Sequence, residues 1–200
     1  MVENKKGLLF VISGPSGVGK DTVCSELVKN NDNILISVSA TTRAPRKEEK
    51  DGVNYYFYSE EKFENMIKND ELMEWACFCE NYYGTPKTPV FEALDNGKDV
   101  ILEIEVQGAL KIKSKYPEAV FIFILPPSLD ALKERLVGRG TEAKEVVDKR
   151  LKTAIGEIQQ SIKYNYFVVN NTIEQACRDV EAIIKAESLR VERNDFSEEF

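Results

Sequence analysis

Histidine is absent from this 200-residue chain, and its absence removes several kinds of catalytic and metal-binding chemistry. A chain without histidine can form neither a Ser-His-Asp triad nor a His-ligated metal site. Cysteine is sparse as well: there are four, and the closest two, Cys77 and Cys79, have C-x-C spacing. Zinc and redox sites more often use C-x-x-C pairs, so we expect buried or inert thiols rather than metal ligands.

Long apolar runs are also missing. The first seven residues are polar, and the apolar run that follows is too short for a signal peptide. No other stretch has the length of apolar sequence that a transmembrane helix needs. Together with the few unpaired cysteines, these absences favour a cytoplasmic protein that does not bind membranes.

Positive charge is in the minority, since 27 Lys and Arg face 34 Asp and Glu for a net charge of −7. A chain of that sign repels nucleic acids and anionic membranes on average, so we expect neither as a partner. An anionic ligand would have to be held by a local basic pocket. Candidate arginines occur in two clusters: Arg43 with Arg46, and Arg135 with Arg139 and Arg150.

The composition otherwise suits one folded domain, because 42% of the residues are hydrophobic and 30% are charged. Continuous apolar runs alternate with amphipathic helical patterns, which predicts an α/β fold with a central parallel sheet flanked by helices. The runs expected to form buried strands are 8–12, 100–102, 119–125 and 166–169.

Two segments interrupt this alternation. Residues 39–88 are rich in arginine and aromatic residues and predict a small inserted subdomain with short strands at 55–58 and 73–78 and a helix at 60–68. After it, Thr88 and Pro89 predict the N-cap and first residue of a helix. The second segment, 138–150, has a Gly-Arg-Gly run and Thr141 as a helix N-cap, which favours a mobile lid. The core would then comprise residues 1–38, 89–137 and 151–200.

A phosphate-binding loop follows the first predicted strand. Its sequence matches G-x-x-x-x-G-K between a strand and a helix, the context that identifies a P-loop. Glycines let backbone N–H groups surround phosphate oxygens, and Lys20 adds a positive charge. Asp21 stands where Ser or Thr normally contacts Mg²⁺, so it either reaches the metal through water or points away. The predicted ATP-binding residues of this loop and helix are Gly14, Pro15, Ser16, Gly17, Val18, Gly19, Lys20, Asp21 and Thr22.

Beyond the P-loop, nearly the whole chain closely resembles guanylate kinase. The resemblance is carried by Arg-Ala-Pro-Arg at 43–46, Asn-Tyr-Tyr-Gly at 81–84, Glu-Ile-Glu-Val-Gln-Gly at 103–108, Arg-Gly-Thr at 139–141 and Asn170. It implies a P-loop three-layer fold that phosphorylates GMP, and by extension dGMP, in purine nucleotide metabolism. ATP would be the donor and Mg²⁺, carried by ATP, the cofactor.

The same resemblance implies a GMP site in the insertion. Arg43, Arg46, Tyr55 and Tyr83 would hold the phosphate, where guanidinium groups and hydroxyls are suitable donors. Guanine would be recognised by three further side chains: Ser39, Glu74 and Thr85. Glu49 and Glu105 complete the implied GMP-binding set. From strand alternation alone, Glu74 would instead be an exposed acid on an edge strand, on the face opposite Trp75.

On the ATP side, the resemblance implies that Lys20, Arg43, Arg139 and Arg150 act in catalysis. Arg135 and Asn170 would contact ATP, although Arg135 could equally form helix-surface salt bridges and Asn170 could simply end a strand. No direct metal ligand is expected, but Glu103 could reach Mg²⁺ through water. Two positions depart from the family pattern: Glu105 stands where Asp is usual, and Glu48 stands where Gly is usual.

Two other functions fit parts of this pattern. A P-loop kinase for a different phosphorylated acceptor, such as a ribose bisphosphate, would share the phosphate-binding arginines but would not need Ser39 or Glu74. A non-enzymatic guanylate-kinase-like module would bind protein partners through the GMP side, but such modules typically have a damaged P-loop. Lys20 and the loop glycines are intact here, which favours an enzyme.

Overall fold

The computed structural model describes residues 6–29, 31–137 and 144–193. Nine strands and seven α-helices occur in these ranges. In chain order they are β1 (Leu9–Ser13), α1 (Lys20–Lys29), β2 (Ile34–Ile36), β3 (Ala40–Thr41), β4 (Tyr56–Phe57), α2 (Glu60–Lys68), β5 (Leu72–Phe78), β6 (Asn81–Pro86), α3 (Lys87–Asp95), β7 (Asp99–Glu103), α4 (Val106–Lys115), β8 (Val120–Leu125), α5 (Leu129–Val137), α6 (Lys144–Gln159), β9 (Tyr166–Val169) and α7 (Ile173–Ser188).

The central sheet has five strands in the order β2-β7-β1-β8-β9, and every neighbouring pair is parallel. Its strands are apolar on both faces because helices cover both sides. Phe10 and Ile12 point toward α1 and α7, whereas Leu9 and Val11 point toward α3 and α4. The α/β fold expected from the sequence is therefore confirmed, with β1 in the middle of the sheet.

A second, smaller sheet joins four strands in the order β4-β3-β6-β5. Its β3–β6 and β5–β6 pairs are antiparallel, and it has its own hydrophobic cluster against α2. Phe63 is fully buried there and stacks on Tyr82 with ring centroids 5.3 Å apart. This sheet thus has an apolar core separate from that of the central sheet.

The predicted helix at 60–68 is confirmed, and Ser59 caps it by accepting a hydrogen bond from the Lys62 N–H. The start of α3 was predicted wrongly: the helix begins at Lys87 after Pro86, so Thr88 lies inside it. The Lys87 N–H donates to the Glu71 carbonyl oxygen at 2.9 Å, which satisfies a free helix-end donor without a side-chain cap.

Several short strands gave no clear sequence signal. The predicted strand at 55–58 shrinks to β4, and β2 and β3 are only three and two residues long. Segments of that length contain too few residues for a two-residue periodicity to be detected. Their pairing depends instead on neighbouring strands that are distant in sequence.

Helix α5 packs against α6 through a small cluster that includes Leu132, Leu136, Val147 and Ala154. The residues between these helices, 138–143, lie outside the described ranges, so the predicted lid is described only from Lys144 onward, and the predicted N-cap Thr141 is outside it. Among the described helices, none combines the length and apolar composition needed to cross a bilayer.

Phe63 should be the main anchor of the small sheet. We expect Phe63→Ala to lower the free energy of unfolding by about 3–5 kcal/mol, because a fully buried ring is lost from the centre of its cluster. The matched control is Phe78→Ala, in which the same ring is removed from a position that is 69% exposed in the same sheet. Denaturant unfolding measures both, and equal losses would contradict this assignment of the core.

Candidate active site

The P-loop connects the carboxyl end of β1 to α1. Gly17 and Gly19 have φ values of +85° and +92°, in the left-handed region that glycine adopts most easily. The buried Ser13 hydroxyl donates to the Ile104 carbonyl oxygen at 2.8 Å, which ties the start of the loop to the end of β7. The loop and the N-terminus of α1 together form a concave, electropositive backbone surface suited to an anion.

Lys20 lies at the first position of α1 and is buried, with 9% of its surface exposed. Its Nζ donates to the Gly14 carbonyl oxygen at 2.9 Å and lies 3.7 Å from Glu105 Oε1. Burial raises the pKa of Glu103, and the nearby Lys20 charge opposes that rise. Lys20 is therefore the positive centre of a group that contains both carboxylates.

The Val18 carbonyl oxygen receives two side-chain hydrogen bonds, from Arg135 Nη1 at 3.2 Å and from Asn170 Nδ2 at 2.7 Å. Arg135 also donates to the Asn170 carbonyl oxygen at 3.0 Å. Both side chains line a cleft of about 360 Å³ with Gly17 and Gly19. The structure thus places both side chains against the P-loop, and, within the described residues, the hydrogen bonds of Arg135 are to backbone carbonyls rather than to carboxylates.

Helix α6 also contacts the P-loop. Arg150 donates to the Ser16 hydroxyl oxygen at 2.9 Å. Glu157, two turns along the same face, receives a hydrogen bond from the Ser16 backbone, and burial together with the nearby Glu105 raises its pKa. The sequence analysis did not identify Glu157, although its spacing from Arg150 on one helix face could have indicated it.

The remaining predicted P-loop and helix positions differ in exposure. Pro15 is buried, whereas Asp21 and Thr22 are exposed in the first turn of α1. Glu105 is largely exposed, with 69% of its side-chain surface accessible. Arg139 lies outside the described residues.

Arg43 and Glu49 form a two-pronged ion pair, with Nη–Oε distances of 3.0 and 2.9 Å. Glu49 also accepts the Arg46 backbone N–H at 2.8 Å. These bonds lower the pKa of Glu49 and raise that of Arg43. Next to the pair, the Tyr55 and Tyr83 rings meet edge to face with centroids 6.2 Å apart, and the Arg43 guanidinium carbon lies 5.6 Å from the Tyr55 centroid. The structure thus brings Arg43, Tyr55 and Tyr83 together, whereas Arg46 is exposed and contributes its backbone N–H to Glu49.

Glu74 is half-buried, contrary to the exposed position that strand alternation alone favoured. Its Oε1 accepts a hydrogen bond from the fully buried Thr85 hydroxyl at 2.9 Å. Burial is the main cause that raises the pKa of Glu74, while the Thr85 bond and the Lys111 charge lower it. Ser39 is half-buried immediately before β3, and its carbonyl oxygen accepts the Tyr56 N–H at 2.8 Å. Of the three residues expected to contact guanine, Glu74 and Thr85 therefore lie in strands of the small sheet, and Ser39 lies next to one.

The chain matches the guanylate kinase family model over residues 6–187. It is 58% identical to a guanylate kinase of Halalkalibacterium halodurans over 192 residues, which cover 96% of this chain and 94% of the relative. It is 54% identical to a guanylate kinase of Clostridioides difficile, with 94% and 92% covered. The crystal structure of guanylate kinase from Anaplasma phagocytophilum superposes with a TM-score of 0.77 at 35% identity, covering 98% of this chain and 93% of that one.

The Arg43–Glu49 pair gives a direct test of the basic pocket. We expect Glu49→Gln to weaken the binding of GMP about tenfold, because the neutral amide holds the Arg43 guanidinium less firmly than a carboxylate does. Titration calorimetry measures the affinity. Glu48→Gln, an identical chemical change at the exposed neighbouring position, is the control. Equal affinities for the two variants would show that Glu49 does not organise this pocket.

Proposed function

This chain belongs to the guanylate kinase family and transfers a phosphoryl group from ATP to GMP; we propose that its P-loop side holds ATP and its small sheet holds GMP. In this proposal residues 39–88 are the GMP-binding insertion and 138–150 the lid, and dGMP is accepted as well. The observation that carries the assignment of the GMP side is the half-buried Glu74 carboxylate, held by Thr85 in the sheet that also contains the basic pocket.

The P-loop backbone and Lys20 would surround the phosphates of ATP. The inward-facing N–H groups, the end of α1 and the buried ammonium all favour negative charge at this position. Lys20 Nζ donates to the Gly14 carbonyl oxygen and lies near Glu105, and both are contacts that a phosphate can replace.

Adenine would occupy the cleft beside Arg135 and Asn170. The Asn170 Oδ1 atom is buried and has no hydrogen-bond partner among the described residues, because its Nδ2 faces the Val18 carbonyl. The cleft adjoins the P-loop through Gly17, Val18 and Gly19, so a nucleotide with its phosphates on the loop would place its base there.

The GMP phosphate would bind to Arg43, Arg46, Tyr55 and Tyr83. Guanidinium groups can bond two phosphate oxygens at once, and tyrosine hydroxyls add neutral donors. Glu49 is assigned here as a positioning residue, since its contacts are to Arg43 and to the backbone of Arg46. A carboxylate in that position orients the arginine without itself facing the anion.

Guanine would be selected by Glu74. The Watson–Crick edge of guanine presents N1–H and an exocyclic amine side by side, and a carboxylate can accept both as charge-assisted hydrogen bonds. Adenine presents an unprotonated N1 there and would leave the desolvated carboxylate unpaired. A ribose bisphosphate has no base to bind, so a half-buried acid at this position supports a purine acceptor instead.

Magnesium fits this site as a cofactor that arrives with ATP. Within the described ranges, no three acidic or cysteine side chains are grouped in a way that could hold a metal ion. Mg²⁺ usually keeps several waters and binds one or two carboxylates together with substrate phosphates. Glu103 is the suitable carboxylate, acting through water, and Asp21 is exposed nearby. When bound, Mg²⁺ supplies charge neutralisation at the β- and γ-phosphates.

Transfer would proceed directly, with an oxygen of the GMP phosphate attacking the γ-phosphorus of ATP. The protein then contributes alignment, charge neutralisation and exclusion of water, and none of its residues becomes a covalent nucleophile. Lys20, Arg43, Arg139 and Arg150 are the proposed catalytic charges. In the cell we propose a cytoplasmic enzyme of purine nucleotide metabolism.

Loss of Lys20 should mainly affect turnover. We expect Lys20→Ala to lower kcat by about 10²–10⁴-fold, because its charge acts on the phosphoryl group during transfer. A coupled assay of ADP release measures the rate. Lys29→Ala removes an exposed lysine from the other end of α1 and should leave the rate unchanged. Near-normal turnover in Lys20→Ala would refute the assignment of the P-loop.

Loss of the Glu74 charge should remove selection for guanine. We expect Glu74→Gln to reduce kcat/KM for GMP by at least about 100-fold, since one acceptor becomes a donor and the charge disappears. The KM for ATP should change little, and the preference for GMP over AMP should fall.

The measurement is ADP release with GMP, dGMP, AMP, CMP and UMP as acceptors. Glu71→Gln is the matched control, because Glu71 is an exposed acid immediately before the same strand. If Glu74→Gln retains the wild-type preference for GMP, guanine is recognised by other residues.

A further inference from the structure

Helix α4 of the core lies directly behind the Glu74 carboxylate. Gly108, in the first turn of α4, is buried and faces it. A Cβ atom placed on Gly108 would lie 3.0 Å from Glu74 Oε2 and 3.4 Å from its Cδ. The next nearest atom, Ile104 Cδ1, would be 3.6 Å away, at ordinary contact distance. The closest contacts of an added methyl group would thus be with the carboxylate.

The position of Oε2 matters because the other oxygen is already engaged. Thr85 donates to Oε1 and occupies one of its two acceptor directions. Two adjacent N–H donors of a base need one free direction on each oxygen. The carboxylate can therefore accept both N–H groups only while Oε2 keeps the position set by the Thr85 hydrogen bond and by the surface of α4.

The backbone does not explain why this position is glycine. Gly108 lies within a helix and has no left-handed φ, so its conformation is open to any residue. Glycine inside a helix also reduces helix stability relative to alanine. Gly156 in α6 provides a contrast, since a Cβ atom there meets no atom within 4 Å.

Lys111 keeps the two elements at this separation. It lies one turn beyond Gly108, and its Nζ donates to the Trp75 carbonyl oxygen at 2.7 Å. The same ammonium lies 5.8 Å from the centroid of the Trp75 ring. The residue next to Glu74 in β5 is thereby attached to α4, which opposes a shift of the strand away from the helix.

We propose that Gly108 determines guanine specificity: the missing side chain on α4 leaves the Glu74 carboxylate free to accept two adjacent N–H donors. Gly108 touches no substrate in this scheme and acts through Glu74, which makes it a positioning residue. The inference rests on the proposed role of Glu74 and extends it to the core helix behind the base.

The experiment compares Gly108→Ala with Gly156→Ala, the same substitution at the unobstructed helical glycine. We expect Gly108→Ala to raise the KM for GMP about tenfold and to lower the GMP-over-AMP preference by a similar factor, since both depend on the Glu74 geometry. The KM for ATP should stay within about twofold of the parent value. Gly156→Ala should leave all three quantities unchanged.

A second comparison separates action through Glu74 from a general packing effect. In a Glu74→Ala background the atoms that the new methyl group would meet are gone, so adding Gly108→Ala should cause no further loss. An equal loss in both backgrounds would overturn the proposal. So would a GMP-over-AMP preference in Gly108→Ala that matches Gly156→Ala, or a thermal melt showing that Gly108→Ala does not fold.

These outcomes are distinct from failure of the Glu74 assignment itself. If Glu74→Gln keeps its preference for GMP, the proposed guanine contact is wrong and the inference is withdrawn with it. If Glu74→Gln loses that preference while Gly108→Ala keeps it, only the role of Gly108 is refuted.

Discussion

The Val18 carbonyl oxygen is the point at which three parts of the molecule meet. Asn170 follows β9, Arg135 projects from α5, and both donate to this one acceptor in the P-loop. Because this buried carbonyl oxygen accepts hydrogen bonds from two side chains, one of them charged, it holds the P-loop against α5 and the end of β9. The conformation of the P-loop at the N-terminus of α1 is thereby tied to the end of β9 and to α5.

Charged side chains are likewise held by partners within the molecule. The chain carries a net charge of −7, and two of its cations lie beside a carboxylate: Lys20 near Glu105, and Arg43 against Glu49. Acids in these positions orient the cations and limit the range of their positive field.

Helix α4 connects the end of β7 with the small sheet. It begins immediately after Glu103 and Glu105 at the carboxyl edge of β7, and its buried face reaches Glu74 in the small sheet. The small sheet has its own apolar cluster, but at this helix it also meets the core, beside the Glu74 carboxylate. The surroundings of Glu74 therefore depend on the core as well as on the small sheet.

The sequence by itself determined the parallel sheet and the P-loop, and through the family resemblance it predicted the residues of the basic pocket. Continuous apolar runs such as 119–125 suit strands buried on both faces, and the glycines and Lys20 stand at the spacing that phosphate binding requires. The resemblance to guanylate kinase also identified Glu74, which periodicity alone would have left exposed. These features are local in sequence, or are carried by distinctive motifs, so they can be recognised without coordinates.

Only the tertiary structure decided how distant segments meet. It placed Arg135 and Asn170 on one carbonyl oxygen, brought Glu157 to Ser16 and set Gly108 behind Glu74. The two residues of each of these pairs are at least 34 positions apart in the sequence. The tertiary structure also moved the start of α3 to Lys87, whose N–H donates to the carbonyl oxygen of Glu71, immediately before β5, in place of the predicted Thr88 cap. Such contacts depend on the packing of helices and sheets against one another, and the energy of packing is absent from any local pattern of residues.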